Sequence, residues 1–100
     1  MLVDSVNRLK MDIDIVEAVS IYNKESLAYI YQDRDFKFLE SMVRTKCFEK
    51  TNFMYYESDD SNYFILSMKA NIIIACLKKK NNYNRVLLEL SCKKILSTIK

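Results

Sequence analysis

None of the 100 residues is glycine or proline. Tight turns, β-bulges and many helix ends need a backbone with positive φ, which glycine adopts without steric cost. We expect asparagine and aspartate to occupy those positions here, because they tolerate positive φ better than other residues with a β-carbon. A β-sandwich or β-barrel is hard to build without glycine, whereas a helical bundle is not. The composition therefore favours a helical protein.

Apolar residues recur at intervals of four and three from Leu2 to Val16, which is the spacing of one helical face. This pattern predicts a first helix over about Val3–Tyr22 that ends at Asn23. The stripe covers two heptads, so one hypothesis is that it pairs with a second copy of the helix. We favour the alternative, in which the stripe packs inside its own bundle.

Two further helices are predicted before the middle of the chain. Ser26 is a candidate N-cap for a short helix, and Asp33 is a candidate N-cap for a helix at about 34–49. The stretch "TNFMYYESDDSN" at 51–62 breaks the pattern and predicts a long loop. Its aromatic residues leave a short strand or a helical turn open as alternatives.

Residues 63–77 are apolar on nearly every side. This run is shorter than the ~20 residues of a membrane span, and a helix that is apolar all round is usually a buried central one. A strand is an alternative for "IIIACL", because β-branched runs favour sheets, but the helical pattern on both sides favours a helix. The final apolar stripe predicts a helix at about 84–98, with Asn82 or Asn84 as its N-cap.

These elements together predict an all-α fold. We expect a compact bundle of four to five helices around a buried central helix at about 62–79, in a single helical domain that spans residues 1–100.

Missing residue types argue against several kinds of chemistry. Without histidine, the chain cannot form Ser–His or Cys–His nucleophile pairs or use His as a metal ligand. Without glycine, it has no P-loop and no dinucleotide-binding fingerprint. Acidic pairs such as Asp12 and Asp14 do not face each other on a helix, because residues two apart point in different directions. We therefore expect a protein that is not an enzyme and uses no cofactor or metal.

The cysteines indicate a reducing compartment. Cys47, Cys76 and Cys92 are odd in number and lack the close pairing of a zinc site. Each lies on an apolar stripe, which is typical of buried structural thiols. The first ten residues include no apolar leader segment, so we expect an intracellular protein, in the cytoplasm or the nucleus.

The chain is rich in aromatic residues, with seven tyrosines and five phenylalanines. Several lie where the helical pattern breaks, and tyrosine is favoured at protein interfaces, so we predict a partner-binding surface. Its predicted members are Tyr29, Tyr31, Phe53, Tyr55 and Tyr56. The alternative is that they pack at the edge of the core with their hydroxyls in water.

Charge is distributed unevenly along the chain. Residues 1–60 carry a net charge of −4 and residues 61–100 carry +7. Such asymmetry is found in chains that bind a polyanion, and an alternative nucleic-acid site would consist of Lys78, Lys79, Lys80 and Arg85. The interpretation that we favour is that cations near helix C-termini complement the helix macrodipole.

Lys, Asn, Ile and Tyr account for 37 residues, and their codons are AT-rich. The function that we predict is protein–protein interaction, by a small accessory protein of an AT-rich virus, phage or plasmid that binds a host protein. A homodimer is also expected, because a small domain can bury part of its apolar surface between subunits. The alternative function is a nucleic-acid-binding regulator.

Overall fold

The structure is a computed structural model that describes residues 2–46, 52–79 and 83–99. The described chain contains helices and strands in the order α1 (Leu2–Asp12), β1 (Val16–Asn23), β2 (Ala28–Gln32), α2 (Phe38–Arg44), β3 (Phe53–Glu57), β4 (Asn62–Met68), β5 (Asn71–Leu77) and α3 (Arg85–Ser97).

The strands form one antiparallel sheet in the order β2-β1-β5-β4-β3, and helices cover both of its faces. On one face, Val6 of α1 and Leu88 of α3 are fully buried in one core cluster with Ile73 of β5. On the other face, Leu39 of α2 is fully buried in a second cluster with Ile74 of β5. The result is a three-layer α/β/α arrangement with apolar contacts on each side of the sheet.

The predicted all-α bundle is wrong, and its predicted central helix shows why. Residues 62–79 contain β4 and β5, an antiparallel hairpin joined at Lys69 and Ala70. β5 lies inside the sheet and is buried at every position, because helices cover the residues that point to either face. A strand covered on both faces and a buried helix are both apolar all round, so periodicity cannot separate them. The β-branched residues of the run were the signal for a strand.

The predicted first helix over Val3–Tyr22 divides into α1 and β1. Its apolar spacing crosses the junction because Leu9, Ile13 and Val16 all belong to the same core cluster, although the chain changes from helix to strand between them. The short helix predicted after Ser26 is also wrong, since this part of the chain forms β2. The first error comes from the apolar residues of β1, a strand buried on both faces, whereas β2 is an edge strand in which every second residue is exposed.

The remaining elements lie closer to the prediction. The helix predicted at about 34–49 is the shorter α2, and residues 47–51 lie outside the described chain. The stretch 51–62 contains β3, so its main prediction as a loop is wrong and the strand alternative is correct. The last helix is confirmed as α3, and Asn84 Oδ1 accepts the N–H of Leu87 over 2.9 Å as its N-cap.

Positive φ occurs at residues other than those predicted. The described residues with positive φ are Leu27 at 55°, Lys46 at 59° and Lys69 at 55°. Asn23 supports the β1–β2 turn differently, because its side-chain oxygen accepts the N–H of Glu25 over 3.0 Å. Among the described residues, positive φ is therefore not supplied by asparagine or aspartate as predicted, and these turns hold residues whose β-carbon disfavours this conformation. Asn81 and Asn82 lie outside the described residues.

Cys76 and Cys92 are buried free thiols, and Cys76 lies in β5 and not on a helix. Burial raises the pKa of Cys92 to about 12, so this thiol stays protonated at neutral pH. Cys47 lies outside the described residues. The longest described helix, α3, has 13 residues, and none of the described helices is long and apolar enough to cross a membrane.

Candidate protein-interaction surface

The sheet separates the five aromatic residues predicted to bind a partner into two groups. Tyr29 and Tyr31 lie in β2 at one edge, and Phe53, Tyr55 and Tyr56 lie in β3 at the other. Four strand spacings of ~4.8 Å place the two edges roughly 19 Å apart. The two groups therefore belong to different surfaces.

The β2 edge is irregular. Ile21 of β1 pairs with Tyr31, and the next residue, Tyr22, pairs with Tyr29. Ile30 is therefore an extra residue between two pairs. A bulge of this kind bends the strand and disturbs the regular alternation of outward N–H and C=O groups that an added strand would need.

The tyrosine hydroxyls of β2 are engaged by the segment that follows the strand. Tyr29 Oη accepts the N–H of Phe36 over 2.6 Å and donates to Asp35 Oδ1 over 3.1 Å. Tyr31 Oη donates to Asp33 Oδ1 over 3.0 Å. Both hydroxyls therefore hold the molecule's own chain in place.

Asp33 closes the β1–β2 ladder with its side chain. Its N–H donates to Val19 O over 3.3 Å, but the N–H of Val19 returns a bond to Asp33 Oδ2, over 2.9 Å, in place of the backbone carbonyl. Lys10 of α1 forms an ion pair with the same carboxylate. Burial raises the pKa of Asp33, but the hydrogen bond from Lys10 and those from its other donors outweigh it. The net pKa therefore lies below its ordinary value of 3.8.

The β3 edge is regular. β3 pairs with β4 over five consecutive residues without a register shift. Just beyond its two ends, Ser67 N–H donates to Asn52 O over 2.7 Å and Ser58 N–H donates to Ser61 O over 2.9 Å. Hydrogen-bonded pairs alternate along an antiparallel ladder, so the even-numbered residues of 52–58 turn their backbone groups toward β4.

It follows that the odd-numbered residues Phe53, Tyr55 and Glu57 turn their backbone N–H and C=O groups away from the sheet. Within the described chain, no strand lies beyond β3 on that side. The outer edge of β3 therefore presents six backbone groups in the regular alternation of an antiparallel edge, two from each of three residues.

Apolar side chains flank this edge on the α2 face. They form a groove of about 480 Å³ between β3 and α2, lined by Phe38, Met42, Met54, Tyr55, Tyr56 and Ile65. Tyr56 is 53% exposed and stacks on Tyr63, with ring centroids 5.7 Å apart. We use the term β3 surface for the outer edge of β3 together with Phe38, Met42, Phe53, Met54 and Tyr56.

The α3 face of the same edge is partly filled. Phe53 is 40% exposed and meets Phe64 edge to face, with centroids 5.1 Å apart. The guanidinium of Arg85 lies 4.5 Å from the centroid of the Tyr55 ring, and burial raises the pKa of Tyr55 to about 12. Phe53 and Tyr56 are thus the predicted partner residues that are exposed at this edge, while Tyr55 serves mainly in packing.

The residues predicted for the alternative nucleic-acid site lie on different elements. Lys78 and Lys79 are exposed just after β5. Arg85 begins α3 and lies against β3, which is two strand spacings or roughly 10 Å from β5. Lys80 lies outside the described residues. The placement separates Arg85 from the two described lysines.

One polar pair has the composition of a catalytic dyad. Lys24 Nζ donates to Ser67 Oγ over 2.7 Å, and burial lowers the pKa of Lys24. A Ser–Lys pair can act as nucleophile and base, but Ser67 is only 3% exposed, so its hydroxyl cannot meet an external substrate. The pair instead ties the β1–β2 turn to β4. The described residues contain no group of three or more His, Cys, Asp or Glu that could hold a metal.

Sequence reasoning did not assign Phe38, Met42 and Met54 to the partner surface. Phe38 and Met42 follow the helical period of α2, so the pattern indicates ordinary core positions for them. Met54 lies in the stretch that was predicted to be a loop. The available signal was the stretch "FMYY", in which neighbouring residues are apolar on both faces of a strand.

No protein-family model matches this chain, and no curated protein matches its sequence.

Proposed function

We propose that the protein is a non-enzymatic protein–protein interaction module that binds an extended segment of a partner protein at the β3 surface. The observation that carries this proposal is the outer edge of β3, which is regular, unpaired in the described chain and flanked by apolar side chains. A segment that adds a strand there gains main-chain hydrogen bonds, and its alternate side chains enter the groove on the α2 face or a smaller groove of about 240 Å³ beside Phe53 and Arg85 on the α3 face.

The lack of protection at this edge supports the same proposal. Edge strands that remain unpaired in solution usually contain lysine, proline or a bulge, which prevent pairing with other chains. The four residues from Phe53 to Tyr56 contain no charge and no proline, and their pairing with β4 is regular. An edge of this kind associates readily, so a partner that covers it accounts for its composition.

The sequence predicted two kinds of partner, a host protein inside the cell and a second copy of this chain, and this proposal admits either occupant. The contacting segment is expected to be extended and apolar, because the larger groove beside β3 is lined by methionine and aromatic side chains. Methionine adapts its shape to different partners, which suits a surface that must accept side chains from another protein.

Site-specific photo-crosslinking tests the proposal. Benzoylphenylalanine placed at Tyr56 should give covalent protein adducts in the cells that naturally make this protein. The same group placed at Ile30, which is 43% exposed at the β2 edge, is the matched control and should give few. Equal adduct yields from the two positions, or none from either, would count against a binding site at β3.

The alternative function, nucleic-acid binding, is supported by the net charge of +7 in residues 61–100 and by the adjacent exposed lysines Lys78 and Lys79. Binding through phosphate contacts weakens steeply as salt rises. A fluorescence titration of DNA and RNA at two salt concentrations, with Lys78→Glu/Lys79→Glu as the comparison, tests it. An absence of binding at low salt eliminates this alternative.

A further inference from the structure

We infer that the occupant of the β3 surface is a second copy of this chain, arranged about a twofold axis at Tyr55 so that the two sheets join through β3. This inference rests on the proposed function, because it names the partner of the same surface. The resulting assembly is a symmetric dimer with one continuous sheet of ten strands, five from each copy.

The backbone of β3 is complementary to itself. Phe53, Tyr55 and Glu57 direct their N–H and C=O groups outward, and Tyr55 is the middle one of the three. An antiparallel copy centred on Tyr55 pairs Tyr55 with its own equivalent and Phe53 with Glu57 of the second copy. Three residue pairs with two bonds each give six hydrogen bonds, and every outward group of the strand is then satisfied.

The side chains on the α2 face are also complementary in this register. Met54 lies opposite Tyr56 of the second copy, in a position where side chains of neighbouring strands are closest. Phe38 lies beside Tyr56, with ring centroids 6.3 Å apart, and Met42 lines the same groove near Met54. The twofold axis therefore brings the two apolar grooves together and covers Tyr56, which is 53% exposed in the single chain.

The charges favour the antiparallel arrangement. Glu57 is the charged residue of β3, and two acidic residues, Asp59 and Asp60, follow it. With the axis at Tyr55, the two copies of Glu57 are offset by four residues, or roughly 14 Å at ~3.4 Å per residue. That separation exceeds the Debye length of ~8 Å at physiological salt. A parallel pairing would instead put the two carboxylates side by side.

The β2 edge cannot form an equivalent contact. Its bulge at Ile30 interrupts the regular alternation of backbone groups, so a second copy of β2 would not find a continuous row of partners. The structure thus offers one regular edge and one irregular edge in its described residues, and the dimer uses the regular one.

Sedimentation velocity measures the oligomeric state directly. Over a range of about 1 to 500 µM, the wild-type chain of 11.9 kDa should shift from monomer toward a species of twice that mass. Tyr56→Glu places a carboxylate against Met54 of the second copy and should weaken the dimer by about 100-fold or more. Ile30→Glu at the β2 edge is the matched control and should leave the dimer unchanged.

A second pair of variants tests the backbone bonds. The N–H of Glu57 points outward, so Glu57→Pro removes no bond of the β3–β4 ladder but removes two of the six bonds across the axis. Glu57→Ala removes the same side chain and keeps all six. We expect Glu57→Pro to dimerise at least about tenfold more weakly than Glu57→Ala. Circular dichroism at equal concentrations confirms that each variant is folded.

A wild-type chain that stays monomeric over the whole range, or a dimer that Tyr56→Glu does not weaken, overturns the inference. Crosslinking from position 56 separates this failure from that of the proposed function. Adducts of twice the chain mass support the twofold dimer. Adducts of other masses alone overturn the dimer and leave the interaction module standing, whereas no adduct above the Ile30 control overturns both.

Discussion

The two edges of the sheet differ in regularity and in the contacts that the described chain makes there. At the β2 edge, a bulge at Ile30 interrupts the regular pairing. Polar side chains there accept hydrogen bonds from the chain's own backbone N–H groups. At the β3 edge, the pairing is regular and the outward backbone groups have no strand beside them in the described chain. The exposed apolar side chains there are aromatic and adjoin a groove lined in part by methionine. Both edges are tyrosine-rich, so residue type alone does not distinguish them.

The difference lies in what the tyrosines contact. Tyr29 and Tyr31 at the β2 edge use their hydroxyls on Asp35, Phe36 and Asp33, which holds the following segment against the sheet. Tyr56 at the β3 edge stacks on Tyr63 and leaves more than half of its surface in solvent. A tyrosine that completes an internal hydrogen-bond network stabilises the fold, whereas one with an exposed ring can contact a partner.

The largest effect on the β2 side is expected from Asp33→Asn. The substitution removes the ion pair with Lys10 and the charge that strengthens the bond from Val19 N–H, so we expect a loss of about 1–3 kcal/mol in the free energy of unfolding. Urea unfolding at pH 7 measures it. Asp59→Asn, at an exposed position in the turn after β3, is the control and should change stability by less than about 0.5 kcal/mol.

The same carboxylate should make stability depend on pH. Because the pKa of Asp33 is lower in the folded chain than its ordinary value, the unfolded chain binds more protons between those two values. This contribution is fully present above the ordinary pKa of 3.8 and is lost as the pH falls through the lower, folded pKa. Unfolding curves from pH 6 down to about pH 2 should therefore show wild type and Asp33→Asn converging. A constant difference between them would contradict this assignment.

A smaller loss is expected from Tyr29→Phe. The N–H of Phe36 then loses its acceptor in a partly buried position, which should lower stability by about 1 kcal/mol. Tyr56→Phe is the matched control at the other edge, since the hydroxyl of Tyr56 makes no hydrogen bond within the described chain. Thermal unfolding at low protein concentration, where the monomer predominates, should show a clear shift for the first variant only. Equal shifts in the unfolding temperature of the two variants would contradict the claim that only the Tyr29 hydroxyl stabilises the fold.

The smallest effects on stability are expected from substitutions in two turns, the β4–β5 turn and the β1–β2 turn. Lys69, between β4 and β5, is exposed with φ of 55°, so Lys69→Gly should stabilise the chain by about 0.5–1 kcal/mol. Leu27, before β2, has the same φ but packs partly against the core cluster on the α2 face. Leu27→Gly should therefore give little net gain, because lost apolar contact offsets the relieved backbone. Calorimetry that ranks Leu27→Gly above Lys69→Gly would refute this explanation.

Some of the fold was predictable because its signal is local. The last helix has an amphipathic stripe and an asparagine cap within one stretch of chain, and the structure contains both. The aromatic stretch around Phe53 and Tyr56 was predicted as a candidate surface because a small domain can bury few large side chains, and both of these residues are exposed. The helical assignment of the segment that forms β1 failed because apolar residues on both faces of a covered strand imitate the stripe of a helix.

The amino-acid sequence by itself determined the absence of histidine, glycine and proline, the apolar runs that must be buried, the charge asymmetry and the cap of the last helix. Tertiary structure alone decided that the run from Tyr63 to Leu77 is a hairpin, because strand pairing depends on partners that are distant along the chain. It also decided which tyrosine rings are exposed to solvent and which hydroxyls bond to the chain itself. Tyr29 and Tyr56 are chemically identical, and only their places at opposite edges of one sheet distinguish a residue whose hydroxyl bonds to the chain's own backbone from one whose ring is more than half exposed.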